Sequence, residues 1–280
     1  MLRVYLIQTD SAKGTKAENL ARAKGMILDA HPSEGSLVLL PEMFASGYLP
    51  TSLDNSAEDF DSSGSSETAR MLSEVATATS CTVMGAGIKK AGDKFLNHVS
   101  VYTPHATKES CGYDKMNLFF PEKDSFNPGD RINLFNITET ADRFPIKSGM
   151  TERCWTVASF ICYDLRFPEL FREATKQGAN LITVQAAWPA KRIEHWKTLL
   201  KARAIENQVY IAAVNAVSSL PDTKHPFAGT SLIISPNGDI IVKSSAQSEE
   251  IITAELDLQA EKDYRKSFPV LDGIVPPELM

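Results

Sequence analysis

The sequence predicts a single α/β domain. Short apolar runs that suit strands covered on both faces, such as residues 2–7 and 37–40, alternate with segments whose apolar residues recur at helical spacing. The chain has 280 residues, 43% of them hydrophobic and 23% charged, which is enough apolar material for a full core. No linker or shift in composition divides it. We therefore expect one domain over residues 1–280, with two strand–helix–strand units that could be related by internal symmetry.

In the first half, Thr15 followed by Glu18 forms a capping-box pattern, which predicts the start of a helix that ends near Pro32. Residues 51–66 are rich in Ser and Asp and are expected to form a surface loop. Residues 117–150 lose all periodicity, and a loop of that length usually lines a site. The other expected elements are a helix marked by Ala69, Leu72 and Val75 and strands at 82–88, 97–103 and 110–113.

The second half repeats this order. A strand at 155–161 ends at Cys162, and Pro168 stands where the first position of a helix is expected. Residues 236–239 have the composition of a hairpin turn. The remaining expected elements are strands at 181–184, 209–214, 231–235 and 240–242 and a helix marked by Ile193, Trp196, Leu200 and Ala204.

Composition argues against several functional classes. The 29 Lys and Arg residues against 35 Asp and Glu give a net charge of -6, whereas proteins that bind nucleic acid usually carry a positive excess. No apolar run approaches the roughly 20 residues of a membrane span. The N-terminal run turns polar at Gln8 and Asp10, too early for a signal peptide. The four cysteines have neither metal-binding spacing nor the density of a disulfide scaffold, so a cytoplasmic protein is expected.

Glu42 stands just past the carboxyl end of the predicted strand at 37–40. Catalytic groups and ligands gather at this edge of open α/β sheets. The carboxylate could instead cap a helix or pair with an arginine. Its apolar neighbours Pro41, Met43 and Phe44 favour a role in proton transfer.

Cys162 has the same position after the strand at 155–161. The helix expected to begin at Pro168 follows within one turn, and backbone N–H groups in such a turn can bind an oxyanion. Cys162 is therefore a candidate nucleophile. The alternative, a small buried hydrophobic side chain, is the interpretation expected for Cys81, Cys111 and Cys154. None of the five histidines has metal-ligand spacing or an evident place as a base. They are His31, His98, His105, His195 and His225.

Lys115 ends the predicted strand at 110–113. A solvated lysine would be the ordinary case, but Tyr113, Phe119 and Phe120 give it aromatic surroundings. Glu122 follows in a loop that would fold back over a site.

Taken together, these segments resemble the carbon–nitrogen hydrolase family, also called the nitrilase superfamily. The likeness covers nearly the whole chain. Several motifs that occur in the same order as in the family are more specific than a single motif. The matching stretches are 40–44 (LPEMF), 113–119 (YDKMNLF) and 160–170 (FICYDLRFPEL), supported by 126–130 (FNPGD) and 200–208 (LKARAIENQ).

The resemblance implies a four-layer α-β-β-α sandwich and a Glu–Lys–Cys catalytic set that needs no cofactor or metal. On the matching positions, Glu42 would be the general base, Lys115 would stabilise the oxyanion and Cys162 would be the nucleophile that forms a thioester. Glu122 matches a second glutamate of the family's site, which helps to position substrate and to direct the proton transfers. The backbone N–H of Tyr163 would be the second oxyanion donor.

One departure from the family pattern is Asn117, where many relatives carry His. It lies outside the catalytic set. Family members usually dimerise through the helices after the nucleophile, and the apolar helix at 191–207 is compatible with a homodimer or a higher homo-oligomer.

True nitrilases typically follow the cysteine with Trp-Glu, whereas this chain has Tyr163-Asp164, which favours small amides as substrates over nitriles. The segments at 187–189, 195–196 and 202–208 resemble the ω-amidase branch. That branch deamidates α-ketoglutaramate and α-ketosuccinamate.

Such substrates carry a carboxylate, which Arg166 or Arg192 could bind. Arg166 could instead make a structural ion pair with a glutamate. Trp188 follows a strand end on the catalytic side and is expected to form a pocket wall.

Three alternatives remain open from the sequence. One is another amidase of the family, acting on a carbamoyl, formyl or aliphatic amide. Another is a catalytically idle binding protein on the same fold. The third is a Cys–His thiol hydrolase, which would require a histidine beside Cys162.

Overall fold

The computed structural model describes residues 1–12, 14–60, 66–139, 154–218 and 226–274. Within these ranges the chain forms two six-stranded sheets flanked by helices. The strands are β1 (Leu2–Gln8), β2 (Leu37–Leu39), β3 (Thr82–Ala91), β4 (Lys94–Tyr102), β5 (Cys111–Asp114), β6 (Leu134–Thr138), β7 (Cys154–Ile161), β8 (Leu181–Ala186), β9 (Tyr210–Asn215), β10 (Leu232–Ile234), β11 (Ile240–Lys243) and β12 (Glu250–Leu256). The helices are α1 (Lys16–Asp29), α2 (Leu53–Ser56), α3 (Glu67–Thr79), α4 (Pro168–Lys176), α5 (Ile193–Asn207) and α6 (Leu258–Ser267).

The two sheets have the same topology, as the predicted internal symmetry requires. The first has the order β12-β1-β2-β3-β4-β5, and the second, read from its other edge, has the order β6-β7-β8-β9-β10-β11. In each sheet the second, third and fourth strands of this order are parallel and the outer pairings are antiparallel. Each half is therefore a strand–helix–strand unit extended at both edges.

The layers follow from the alternation of side chains along the strands. Leu6, Leu39 and Met84 of the first sheet belong to the apolar cluster that also contains the second sheet, α4 and α5. Their neighbours Tyr5 and Val38 lie on the opposite face, in the cluster formed with α1 and α3. The predicted four-layer α-β-β-α sandwich is confirmed.

The predicted starts of two helices are confirmed. Thr15 caps α1 in a capping box with Glu18, and Pro168 occupies the first turn of α4. No helix in the described ranges is long and apolar enough to cross a membrane.

Two of the predicted loops contain regular structure. The short helix α2 lies within 51–66, and β6 lies within 117–150, of which residues 140–150 fall outside the described ranges. Among the described strands, β6 is an edge strand that pairs with β7 alone. Because most of its side chains are exposed or half-buried, its sequence lacks the apolar run of an inner strand.

Candidate active site

The predicted site residues come together at the carboxyl ends of strands from both sheets. Glu42 follows β2 and Lys115 follows β5 in the first sheet, while Cys162 follows β7 in the second. The ammonium Nζ of Lys115 lies 2.9 Å from Glu42 Oε1 and 2.9 Å from Glu122 Oε1. Glu42 is close enough to the thiol of Cys162 for its charge to raise the pKa of that thiol. The four side chains that the sequence singled out thus form one cluster.

Asn97 of β4 completes this cluster. Its Nδ2 donates to Glu42 Oε1 at 2.7 Å and to Glu122 Oε1 at 2.9 Å, so the two carboxylates share two donors, Lys115 Nζ and Asn97 Nδ2. The second oxygen of Glu42 accepts the backbone N–H of Ala187 at 2.9 Å. Glu42 is therefore fixed at both oxygens.

The charge balance keeps Lys115 protonated. Burial lowers the pKa of its ammonium, but the opposing charges of Glu42 and Glu122 outweigh burial and raise that pKa well above its usual value. A permanent positive charge therefore lies beside the thiol.

Cys162 lies in a strained turn. Its φ of 44° is in the left-handed region, which residues other than glycine rarely adopt, and a 3₁₀ turn over Cys162–Arg166 connects it to α4. Burial and the charge of Glu42 raise the pKa of the thiol well above its usual value, against the opposing effect of Lys115. The resting thiol is therefore protonated, and a base must take its proton before it can attack.

Gly129 explains the position of Lys115. The Lys115 N–H donates to the Asn97 carbonyl, and the Lys115 carbonyl accepts the Gly129 N–H, both at 2.9 Å. A Cβ on Gly129 would lie 2.1 Å from the carbonyl oxygen of Asp114. Only glycine allows the loop to come this close.

Gly129→Ala should therefore displace Lys115. Overpacking typically destabilises a fold by about 1–3 kcal/mol, and a shift of about 1 Å in a reacting group can reduce turnover about 10²-fold. Turnover and thermal unfolding would be measured together. Gly25→Ala is the matched control, because a Cβ there has no neighbour within 4 Å. Full activity in Gly129→Ala would contradict this account of the loop.

A cavity of about 780 Å³ opens above the thiol. Cys162, Tyr163 and Trp188 line it, whereas Glu42 and Lys115 do not. Cys162 is 8% exposed, and the two charged groups are at most 1% exposed. A substrate in the cavity would meet the sulfur first. The other lining residues include Tyr48, Phe119, Arg166, Lys191, Arg192 and Phe227.

Arg166 presents a cation to this cavity. Its guanidinium lies 4.8 Å from the ring centroid of Trp188 and 5.7 Å from that of Tyr163. Its Nη1 lies 3.4 Å from Nδ1 of His195. Within the described part of the chain no carboxylate forms an ion pair with it, so the alternative of a structural ion pair is wrong there.

Trp188 lines the cavity wall as expected. Its backbone N–H donates to Asn215 Oδ1 at 2.7 Å, and its indole Nε1 donates to the Arg192 carbonyl at 2.8 Å. These bonds fix the wall against the turn that carries Arg192.

None of the described histidines contacts Cys162. His98 is buried between Asp114 and Glu109, at 2.7 Å from each, and His195 contacts Arg166. His225 lies outside the described residues. No group of three or more His, Cys, Asp or Glu side chains in the described ranges could hold a metal ion.

Sequence reasoning missed two residues of the site. Asn97 lies in a strand that also contains the polar residues His98 and Ser100, so the sequence gives only a weak signal for it. Tyr48 lies at the cavity, where burial raises its pKa above the usual value despite the nearby charge of Lys115. Its ring packs edge-on against Phe227. Its loop carries no pattern that would have indicated this place.

The chain is similar to known proteins over nearly its whole length. The model of the carbon–nitrogen hydrolase family matches residues 3–266. The 2-oxoglutaramate amidase of Bacillus subtilis is 31% identical over 276 residues, covering 97% of this chain and 96% of that protein. The omega-amidase NIT2 of Bos taurus is 31% identical over 285 residues, covering 96% and 93%.

A solved structure has the same fold. The crystal structure of XC1258 from Xanthomonas campestris, a CN-hydrolase superfamily protein with an arsenic adduct in its active site, matches with a TM-score of 0.81 and 28% identity. The match covers 98% of each chain. With the family model covering nearly its whole length, this chain belongs to the carbon–nitrogen hydrolase family that its motifs predicted, and it is an amidohydrolase.

Proposed function

We propose that the protein is an ω-amidase. It would hydrolyse the terminal amide of α-ketoglutaramate or α-ketosuccinamate, giving the dicarboxylic keto acid and ammonia. The observation that carries this proposal is a thiol between a buried Glu–Lys–Glu cluster and a cavity whose wall holds an arginine without a carboxylate partner in the described part of the chain. The names of two relatives, 2-oxoglutaramate amidase and omega-amidase, support the substrate class.

Acylation would begin when Glu42 takes the thiol proton and Cys162 attacks the amide carbon. The carbonyl oxygen becomes an oxyanion, which Lys115 and the backbone N–H of Tyr163 would stabilise. Glu42 then returns the proton to the leaving nitrogen, the C–N bond breaks, and ammonia leaves a thioester on Cys162.

Deacylation would use the same groups. Glu42 takes a proton from water, the hydroxide attacks the thioester, and the proton returns to the sulfur as the acid leaves. Glu122 would hold Lys115 in place, because it accepts from Lys115 Nζ and its other oxygen accepts the Phe119 N–H at 2.7 Å. Phe119 lines the cavity, so Glu122 also connects the charged cluster to the substrate wall.

The cavity wall favours an anionic substrate. Arg166, Lys191 and Arg192 supply positive charge, while Trp188 and Phe227 supply apolar surface. A carboxylate bound to an arginine makes charge-assisted hydrogen bonds that a neutral amide cannot replace.

This proposal predicts how the enzyme ranks substrates. α-Ketoglutaramate should have a higher kcat/KM than glutamine, a simple aliphatic amide, a carbamoyl amino acid or a nitrile. Arg166→Gln and Arg192→Gln identify the arginine that binds the carboxylate. Replacing the arginine that binds the carboxylate should lower kcat/KM for α-ketoglutaramate about 10- to 100-fold, which is the effect of losing a hydrogen bond to a charged group. A neutral amide should be little affected. Ammonia release measures the turnover of α-ketoglutaramate and of the neutral amide.

Arg131→Gln is the matched control, because that side chain is 71% exposed and paired with Asp130. If neutral amides proved the better substrates, or if neither arginine changed the ranking, the protein would be another amidase of the family. If no amide were turned over and no acyl adduct formed, it would be a binding protein on this fold. The homo-oligomer and the cytoplasmic location both stay predictions.

A further inference from the structure

Asp164, two residues after the nucleophile, is fully buried and accepts four hydrogen bonds. Its Oδ1 accepts the backbone N–H of Asn117 at 2.8 Å and the side-chain Nδ2 of Asn117 at 3.1 Å. Its Oδ2 accepts the Tyr113 hydroxyl at 2.9 Å and the Ile161 N–H at 3.0 Å. All four acceptor positions of the carboxylate are therefore in use.

These donors belong to the two segments that carry the reacting groups. Tyr113 and Asn117 lie two residues before and two residues after Lys115. Ile161 is the residue before Cys162. A further bond extends the network, because the Met116 N–H donates to the Tyr113 hydroxyl at 3.3 Å.

We propose that Asp164 is a positioning residue that sets the place of Lys115 relative to Cys162. It connects the Lys115 segment of the first sheet to the nucleophile turn of the second, with Asn117 and Tyr113 as its two partners on the Lys115 side. The proposal gives a role to Asn117, the residue that departs from the family pattern. It rests on the proposed function, because it assumes that Lys115 and Cys162 react together.

A carboxylate suits this place better than an amide or a carboxylic acid. Two of the four donors are backbone N–H groups, one on each oxygen, so changing either oxygen to an NH₂ or OH group would make one of these N–H groups face a donor instead of an acceptor. Burial raises the pKa of Asp164 to about 6, while the charge of Lys115 and the hydrogen bonds oppose that rise. At neutral pH the group is therefore ionised, and all four bonds form.

The test uses the two partners on the Lys115 side. Asn117→Ala and Tyr113→Phe, combined in one protein, remove two of the four bonds to Asp164 and keep its two bonds from backbone N–H groups. The Met116 N–H also loses the Tyr113 hydroxyl as its acceptor. This double variant should lose about 10- to 100-fold in kcat, in line with a displacement of the order of 1 Å, with little change in KM. Asp164→Asn should lose at least as much. Tyr210→Phe is the matched control, because that buried hydroxyl bonds the Asp257 carbonyl.

Alkylation of the thiol separates positioning from a general loss of structure. The charge of Lys115 lowers the pKa of Cys162, so a displaced Lys115 should slow alkylation by iodoacetamide and move its pH profile to higher pH. Lys115→Met should do the same. Adding the double variant to Lys115→Met should then cause almost no further change, because the group being positioned is already gone.

The outcomes decide between the accounts. Normal kcat and alkylation in the double variant, a loss that follows a fall in Tm, or a full additional loss on top of Lys115→Met would each overturn the positioning role. Activity retained in Cys162→Ala would instead overturn the proposed function itself. If Asp164→Asn fails to fold, the double variant, in which the Asn117 and Ile161 N–H groups keep Asp164 as their acceptor, decides the question.

Discussion

Replacing Cys162 with alanine should abolish amide hydrolysis while the fold stays intact. The sulfur is the only atom through which the chain would form its covalent intermediate, and loss of such a nucleophile costs on the order of 10⁴-fold or more in kcat. Alanine is smaller and apolar, and Cys162 lines the cavity, so the substitution creates no clash. Ammonia release measures turnover. Intact-mass measurement during turnover should show an acyl adduct on the wild type and none on the variant.

The other cysteines provide the controls. Cys81 is buried and donates to the Ser33 carbonyl, while Cys111 and Cys154 are half-buried strand residues. Each should keep most activity when replaced with alanine. Turnover by Cys162→Ala, or an acyl adduct on another cysteine, would remove the proposed mechanism.

The location of the site could be predicted because it depends on short-range sequence signals. A buried strand is visible in the sequence as an apolar run. The residue after it lies at the carboxyl end of the strand, where functional groups gather. This rule applied to Glu42 and Cys162, and the structure places both in one cluster. For Lys115 the aromatic neighbours indicated burial correctly. The physical reason that it stays charged is its two glutamates, which no local pattern reveals.

What the sequence did not show depends on long-range contacts or on weak patterns. The bond between Asn97 and Glu42 joins residues 55 positions apart, and the bond between Ala187 and Glu42 joins residues 145 positions apart. β6 and β12 are sheet edges with partly exposed side chains, and α6 is strongly polar, so none of the three has a clear apolar period. A local sequence pattern indicates whether a residue is buried. It does not indicate which distant residue it contacts, and it gives no signal where an element is largely exposed.

Replacing Glu42 with glutamine should reduce turnover about 10²–10⁴-fold, the usual effect of losing a general base. The amide matches the carboxylate in size but cannot take the thiol proton. If its oxygen faces Lys115 and Asn97, its NH₂ group must face the Ala187 N–H, so the change also turns one hydrogen bond into a repulsion. Lys115→Met should cost about 10²–10³-fold through loss of an oxyanion donor, and the two losses should not add, because both groups serve one reacting unit. Turnover and the rate of iodoacetamide alkylation would be measured across pH for each variant. A Glu42→Gln enzyme that is alkylated and turns over substrate like the wild type would mean that another group is the base.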